Sequence, residues 1–195
     1  MFFRHSLVAS LALGIAVFSV ATVVRARYAG EGPVRYLTLP IATYNVNSLF
    51  DHAAPGSGNN TNFIRFDGQQ WTDGSAAIGP CTGGVNGNCY DGHNGIDFQA
   101  TVGTPVLAAA PGTVEYADFD PCNGNLLRIW HPNTQYTTLY AHLDAILVVK
   151  DATIDRSQHV ADSGNTGFPQ CSTGPHLHFG VRDTLNGDKV MDPYG

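Results

Sequence analysis

Hydrophobic and polar positions follow three regimes along the chain. From Leu7 to Val24 the sequence LVASLALGIAVFSVATVV is apolar almost without a break. From Asp51 to Asp91 turn-forming residues dominate, with Asn-Gly and Gly-Gly pairs that favour loops over regular structure. From Gly103 onward, short apolar stretches with period-2 alternation are separated by turn signals, the mark of strands. The pattern predicts short strands at Tyr36 to Ala42 and Asn45 to Phe50. GTPVLAAAPGTVEYADF (Gly103 to Phe119) predicts two strands about the Pro111-Gly112 turn. NLLRIWH (Asn125 to His131) and YTTLYAHL (Tyr136 to Leu143) follow across Pro132-Asn133, then Val160 to Ser163, and His176 to Arg182 before Asn186-Gly187. The fold class expected is all-β and antiparallel, with little helix.

Alternation assigns faces to these strands. In Tyr136 to Leu143, Tyr136, Thr138, Tyr140 and His142 share one face, while Thr137, Leu139, Ala141 and Leu143 share the other, which makes the better core. In His176 to Val181 the core candidates are Leu177, Phe179 and Val181, leaving His176, His178 and Gly180 opposite. Three histidines are thus expected to point away from apolar neighbours, as if one sheet face were the floor of a site.

Composition narrows the picture. The 195 residues hold 22 Gly and 11 Pro against 13% charged residues, in keeping with many turns joining short strands. A net charge of -6 without any basic cluster argues against a nucleic-acid partner. No heptad or internal repeat is present. Arg4 and His5 before the apolar run, and Arg25 and Arg27 after it, predict a signal peptide or an uncleaved N-terminal membrane anchor over residues 1–27. Residues 28–195 would then form one domain outside the cytoplasm, exported to the periplasm, envelope or medium. The four cysteines fit an oxidising compartment. Cys81 and Cys89 bracket a glycine-rich loop and are expected to pair, leaving Cys122 with Cys171. A four-cysteine metal site is the rival, but no close C-x-x-C pair supports it.

The candidate chemistry centres on histidine. In HNGIDF (His93 to Phe98), a plain strand would hold His93 and Asp97 roughly 13 Å apart, too far for one metal ion. Asn94-Gly95 offers a solution, since both residues tolerate left-handed backbone and could curl the chain until the two side chains converge. Two His and one Asp leave a fourth zinc position open for water, as in a catalytic site. Hydrolysis also needs a proton acceptor. The only glutamates are Glu31 and Glu115, neither in an HExxH setting, so the proton work falls to His142 and one of His176 and His178. Spacing does not decide which of that pair binds metal.

The ordered motifs H-x-G-I-D-F, G-T-P-V-x-A-A-x-G-T-V, L-Y-A-H-L, S-G-N-T-G and T-G-P-H-L-H-F resemble the lysostaphin/LytM-type zinc metallopeptidases, the family-23 enzymes that cut peptidoglycan peptides. The likeness covers about Tyr90 to Pro193. It implies the antiparallel β-sandwich of the lysostaphin type, similar to a duplicated hybrid motif. It also implies one zinc ion per chain with His93, Asp97 and His178 as ligands, and His142 and His176 as the catalytic pair beside the metal-bound water. NVNSLFDH (Asn45 to His52) resembles the family's early strand, with Asp51 where glycine is usual. KDATIDRSQHV (Lys150 to Val160) replaces the family's glycine-rich turn G-D-x-V-x-x-G-Q, which puts one hairpin in doubt. The chain ends at Gly195, soon after Asp192-Pro193, where the family's domain also tends to finish, so no wall-binding module is expected to follow.

His5, His52, His131 and His159 read as structural or solvated. The glycines of SGNTG (Ser163 to Gly167) read as turn residues. Trp71, Tyr90 and Phe168 could line a groove between loops 67–92 and 163–175, although packing explains each more simply. The function expected is a monomeric zinc endopeptidase acting on peptidoglycan. The alternatives are a non-catalytic relative that binds wall or activates a hydrolase, a non-haem iron site built on the same two-His-one-carboxylate set, and a cytoplasmic phosphocarrier or biotinyl-type sandwich, which the export segment and the lack of a Met-Lys pair oppose.

Overall fold

The computed structural model describes residues 36–42, 45–52, 63–64, 70–71, 92–132, 134–169, 171–172 and 174–194. The apolar Leu7–Val24 run with its signal or anchor role, the Cys81–Cys89 pairing and Tyr90 lie outside the described residues.

Twelve strands and no helix occur among the described residues. They are β1 (Val46–Ser48), β2 (Phe63–Ile64), β3 (Gln70–Trp71), β4 (Ile96–Gln99), β5 (Pro105–Leu107), β6 (Gly112–Asp120), β7 (Gly124–Trp130), β8 (Tyr136–Ile146), β9 (Thr153–Ile154), β10 (His159–Ser163), β11 (His176–Asp183) and β12 (Lys189–Met191). Strands β2 and β3 pair only with each other. The other ten form one antiparallel sheet in the order β1-β4-β11-β8-β7-β6-β9, with β10 joining β8 to β5. The first half of β11 pairs with β4 and its second half with β12, while β8 runs along its other edge. The expected all-β antiparallel class is the observed one.

One large apolar cluster lies under this sheet. It includes Ile96 and Phe98 of β4, Val114 of β6, Leu127 and Ile129 of β7, Tyr140 of β8, and Leu177, Phe179 and Val181 of β11. Alternation in β4 and β11 sends those residues inward and Asp97, His176 and His178 to the opposite face, as expected. A small cluster of Leu126, Leu139 and Ala141 lies apart from it.

The face assignment of β8 is overturned. Tyr140 is fully buried and packs on Phe179, ring centroids 5.3 Å apart, and Thr138 is fully buried beside it. The face carrying Tyr136, Thr138 and Tyr140 is therefore the inner one. His142 should follow it inward, yet Leu143 takes that place in the main core. The cause is a β-bulge: from the Leu127–Tyr140 pair to the Asn125–Leu143 pair, β8 spends one residue more than β7. His142 absorbs it with a left-handed φ of 60°.

Other differences have local causes. Tyr36 to Ala42 forms no strand among its described residues, because Pro40 lacks the N–H a ladder needs; the segment is held by Thr38 N–H donating to Ala109 O and Leu107 N–H donating to Pro40 O. Strands do flank Pro111-Gly112, but β5 pairs with β10 and β6 with β7 and β9, so they make no hairpin. Lys150–Val160 keeps its turns without glycine, with Asp151 and Ser157 at φ of 69° and 62° and β9 between them.

Candidate active site

Strand register brings the first three residues together. His178 on β11 stands directly opposite Asp97 on β4. His178 Nδ1 lies 2.9 Å from Asp97 Oδ1, His93 Nε2 lies 3.2 Å from the same oxygen, and the two ring nitrogens are 3.2 Å apart. His93 reaches them because the chain bends at Gly95 into β4. The bend is not the expected left-handed one, since positive φ occurs at Gly92 (79°) and at neither Asn94 nor Gly95. Gly95 is required for another reason: a Cβ there would sit 2.5 Å from Phe179 O and 2.7 Å from the His178 ring. All three side chains are buried.

Hydrogen bonds to backbone carbonyls aim the rings. His93 Nδ1–H donates to Leu49 O at 2.7 Å, with Ser48 Oγ at 3.1 Å, so Nε2 faces the centre without a hydrogen. Tetrahedral zinc with ligands at about 2.0–2.2 Å holds its donors roughly 3.3–3.5 Å apart. The observed separations are close to that, and two imidazole nitrogens with one carboxylate oxygen form a donor set suited to zinc.

His142 and His176 stand beside this group. Their ring centroids are 4.7 Å apart, and His142 lies 6.0 Å from His178. His142 Nδ1–H donates to Thr166 O at 2.9 Å and His176 Nδ1–H to Gly174 O at 2.7 Å. Both therefore present Nε2 as an acceptor, and that of His176 lies 3.6 Å from Asp97 Oδ1. The bulge turns His142 to this face, and its backbone N–H is held by Asn123 O at 2.7 Å.

The Asp97 carboxylate dominates the electrostatics of the centre. Burial alone would raise the Asp97 carboxyl, but the His93 charge and the contacts with His178 and His93 outweigh it and hold the group well below the usual carboxylate range. Burial pushes His93 down, and Asp97 overrides it to raise the imidazole above its ordinary value. His178 is lowered, chiefly by burial. Burial, aided by the charges of His176 and His178, lowers His142 to about 4.

Among the described residues, the remaining histidines take no part. His131 is buried between Pro111 O and Thr138 Oγ1, His159 pairs with Asp162 at 2.8 Å, and His52 pairs with Asp192 at 3.0 Å. Phe168, expected to pack inside, is 59% exposed. The Cys122–Cys171 disulfide forms as expected. A cavity of about 540 Å³ opens beside Pro175, lined by Asn45, Gln99, Thr101 and Thr104. The carbonyls of Leu49, Asn123, Thr166 and Gly174 escape a side-chain motif because any residue can supply one. Thr166 lies in SGNTG and is more than a turn residue: its Oγ1 donates to Leu143 O at 2.7 Å and accepts from Asn125 N–H at 2.9 Å.

Over 87 residues the chain is 46% identical to a Vibrio cholerae protein described as peptidoglycan DD-endopeptidase ShyA, covering 45% of this chain and 19% of that one. Over 98 residues it is 39% identical to the DD-carboxypeptidase/endopeptidase Mpg of Neisseria meningitidis, covering 50% of this chain and 21% of the relative. The matched region thus spans about a fifth of each relative's length. The solved structure of Helicobacter pylori Csd3 shares the fold, with a TM-score of 0.53 at 23% identity over 82% of this chain and 34% of that one. The model of peptidase family M23 matches residues 91–193, more than half of the 195, and the chain belongs to that family.

Proposed function

We propose that the chain is a zinc-dependent endopeptidase that hydrolyses peptide bonds of peptidoglycan. The observation that carries this reading is the convergence of His93 Nε2, Asp97 Oδ1 and His178 Nδ1, all within 4.8 Å of one another on a buried face. These three residues would hold the ion. Bound there, zinc supplies Lewis acidity, lowering the pKa of water and polarising a carbonyl.

The chain's own groups supply the rest. His142 and His176 each offer a bare Nε2 beside the centre, with Nδ1–H committed to a carbonyl. A proton taken at Nε2 leaves that second hydrogen bond intact and strengthens it, so either ring can accept and return a proton without turning. The low pKa of His142 keeps it ready as an acceptor at neutral pH. The cavity beside Pro175 offers hydroxyl and amide groups with no charged side chain, suited to an extended peptide.

Family membership and the names of the relatives support peptidoglycan as the substrate. The Cys122–Cys171 disulfide supports an address outside the cytoplasm, with residues 1–27 as signal or anchor and the peptidase domain following. The test is digestion of defined peptidoglycan fragments by the zinc-loaded protein, with the new termini identified by mass. Release of peptide termini at one type of bond is expected. Intact fragments in the presence of stoichiometric zinc would make the chain a non-catalytic relative.

A further inference from the structure

Three site histidines are aimed by the same device, an Nδ1–H donated to a backbone carbonyl, but the carbonyls differ in what holds them. Leu49 O, the acceptor for His93, directly follows β1, whose Ser48 is paired with Asp97 in the sheet. Thr166 O and Gly174 O, the acceptors for His142 and His176, lie in the segment between β10 and β11, which has no strand among its described residues. That segment contains Cys171. Its disulfide partner, Cys122, lies in the β6–β7 turn next to Asn123, whose carbonyl accepts the His142 backbone N–H.

The bridge therefore ties together the two irregular segments that grip His142 from both ends. Within the turn, Asp120 Oδ1 accepts from Cys122 N–H at 3.0 Å and Asn123 N–H at 2.7 Å, so the turn is rigid enough to serve as an anchor. Across the junction, the backbone at Gly167 lies so close to Cys122 O that a Cβ would collide with it. Thr166 has a second tether through its hydroxyl. Gly174 lies between Cys171, three positions back, and His176, two positions on, where β11 begins and the N–H donates to Gly164 O; on the Cys171 side the Ser172 hydroxyl lies 3.2 Å from Gly174 O. Both cysteines are exposed, so the bridge fills no core space.

We propose that the Cys122–Cys171 disulfide is a positioning device for the His176–His142 pair, needed for turnover and not for metal binding. This rests on the reading of the chain as a hydrolase. The orientation of His176 depends on the bridge most, that of His142 less because Thr166 is tethered twice, and that of His93 not at all. A displacement of about 1 Å in a catalytic group can cost roughly 100-fold in rate, so turnover falls when the loop is released.

The experiment compares three forms of the zinc-loaded, ¹⁵N-labelled protein: oxidised, reduced by a water-soluble phosphine, and Cys122→Ser with Cys171→Ser. In the reduction each S–S bond becomes two thiols, while one phosphine per bond becomes its oxide, water supplying the oxygen and both protons; the double serine form assigns the effect to Cys122–Cys171, since it leaves Cys81 and Cys89 in place. The expected result is loss of the His176 ring N–H resonance to solvent exchange with the His93 resonance retained. A roughly 10- to 100-fold fall in kcat should accompany it, with zinc still one per chain, and reoxidation should restore the rate. An unchanged His176 resonance with unchanged kcat overturns the proposal. Joint loss of all the ring N–H resonances and the zinc also overturns it, by making the bridge a general staple. If the oxidised protein hydrolyses nothing, the hydrolase reading fails while the N–H comparison still reports on the bridge.

Discussion

The β4–β11 ladder and the β8 bulge with its neighbouring loops deliver side chains to the same centre by opposite means. On the ladder, Asp97 and His178 face each other because antiparallel register leaves them no other place, and the packing of Phe98, Leu177 and Phe179 beneath locks that register. At the bulge, His142 reaches the site only by leaving the ladder, with a strained φ and help from two loop carbonyls. The difference suggests a division of labour. Asp97 and His178, two of the three proposed ligands, sit on regular structure, while His142, proposed to handle the proton, depends on irregular structure that can be perturbed separately.

The largest effects test that division directly. His93→Ala and Asp97→Ala are expected to bring zinc from one per chain to near zero and to abolish hydrolysis, both readable by metal analysis and fragment digestion. His142→Ala is expected to keep the zinc and lose roughly 10²- to 10⁴-fold in turnover, the usual worth of a general acid–base group. Equal zinc loss in all three variants would refute the separation.

Glycine substitutions sharpen the comparison at lower amplitude. Gly95→Ala drives a methyl group into Phe179 O and the His178 ring, so it should cost about 1–3 kcal/mol in denaturant unfolding and weaken zinc binding. Gly124→Ala, at a φ of 67° and 2.6 Å from the Thr166 Cβ, should cost a similar amount in stability yet lower kcat with zinc affinity unchanged. Zinc loss in the Gly124 variant would show that the two regions are not separable.

Legibility in the sequence follows the same line. Ile96 to Gln99 and His176 to Val181 could be assigned faces because alternation on a straight strand has one outcome, and the structure keeps it. In Tyr136 to Leu143 the same rule picked the wrong inner face and placed His142 on the site for the wrong reason. Both faces of that strand hold buried residues, so polarity does not separate them, and the bulge leaves no residue signature: a histidine, not a glycine, carries the positive φ. The resemblance of the motifs assigned His142 its place where periodicity could not. The carbonyl props were invisible, since a backbone oxygen has no letter. The two strands about Pro111-Gly112 are there, but a turn signal does not say which strands pair after it: β5 joins β10, and β6 joins β7 and β9.

Away from the site, His131 tests what buried imidazoles do without a metal. Its Nδ1–H donates to Pro111 O at 2.8 Å, so the neutral ring offers a bare Nε2 to Thr138 Oγ1 at 2.9 Å. Burial, with Arg156 adding to it, lowers its pKa below the ordinary 6.5 against the opposing bond to Pro111. The unfolded chain then takes up a proton below pH 6.5 that the native ring refuses. The stabilisation is thus complete above that pH and is lost as pH falls toward the native value, at no more than about 1.4 kcal/mol per pH unit. Unfolding free energies of wild type and His131→Gln between pH 7 and pH 5 should converge as pH falls; parallel curves would mean that the native ring is protonated as readily as the unfolded one.

The smallest expected effect concerns Ser157, in the segment that lacks the glycines of a typical turn. Its φ of 62° is imposed from outside: Ser157 N–H donates to Ala108 O at 2.8 Å, and Gln158 O accepts from Ala108 N–H at 2.9 Å. A left-handed conformation costs an L-residue about 1–2 kcal/mol, while glycine in its place gives back about 0.5–1 kcal/mol through the greater freedom of the unfolded chain. Ser157→Gly should therefore stabilise by about 0.5–1 kcal/mol. Asp151→Gly should gain less, because aspartate adopts this backbone with less strain. Both substitutions should leave zinc content and turnover as they were. The scale of the gain measures strain carried by the scaffold alone, against which the strain at His142, another non-glycine residue at positive φ, is retained by a side chain that faces the site.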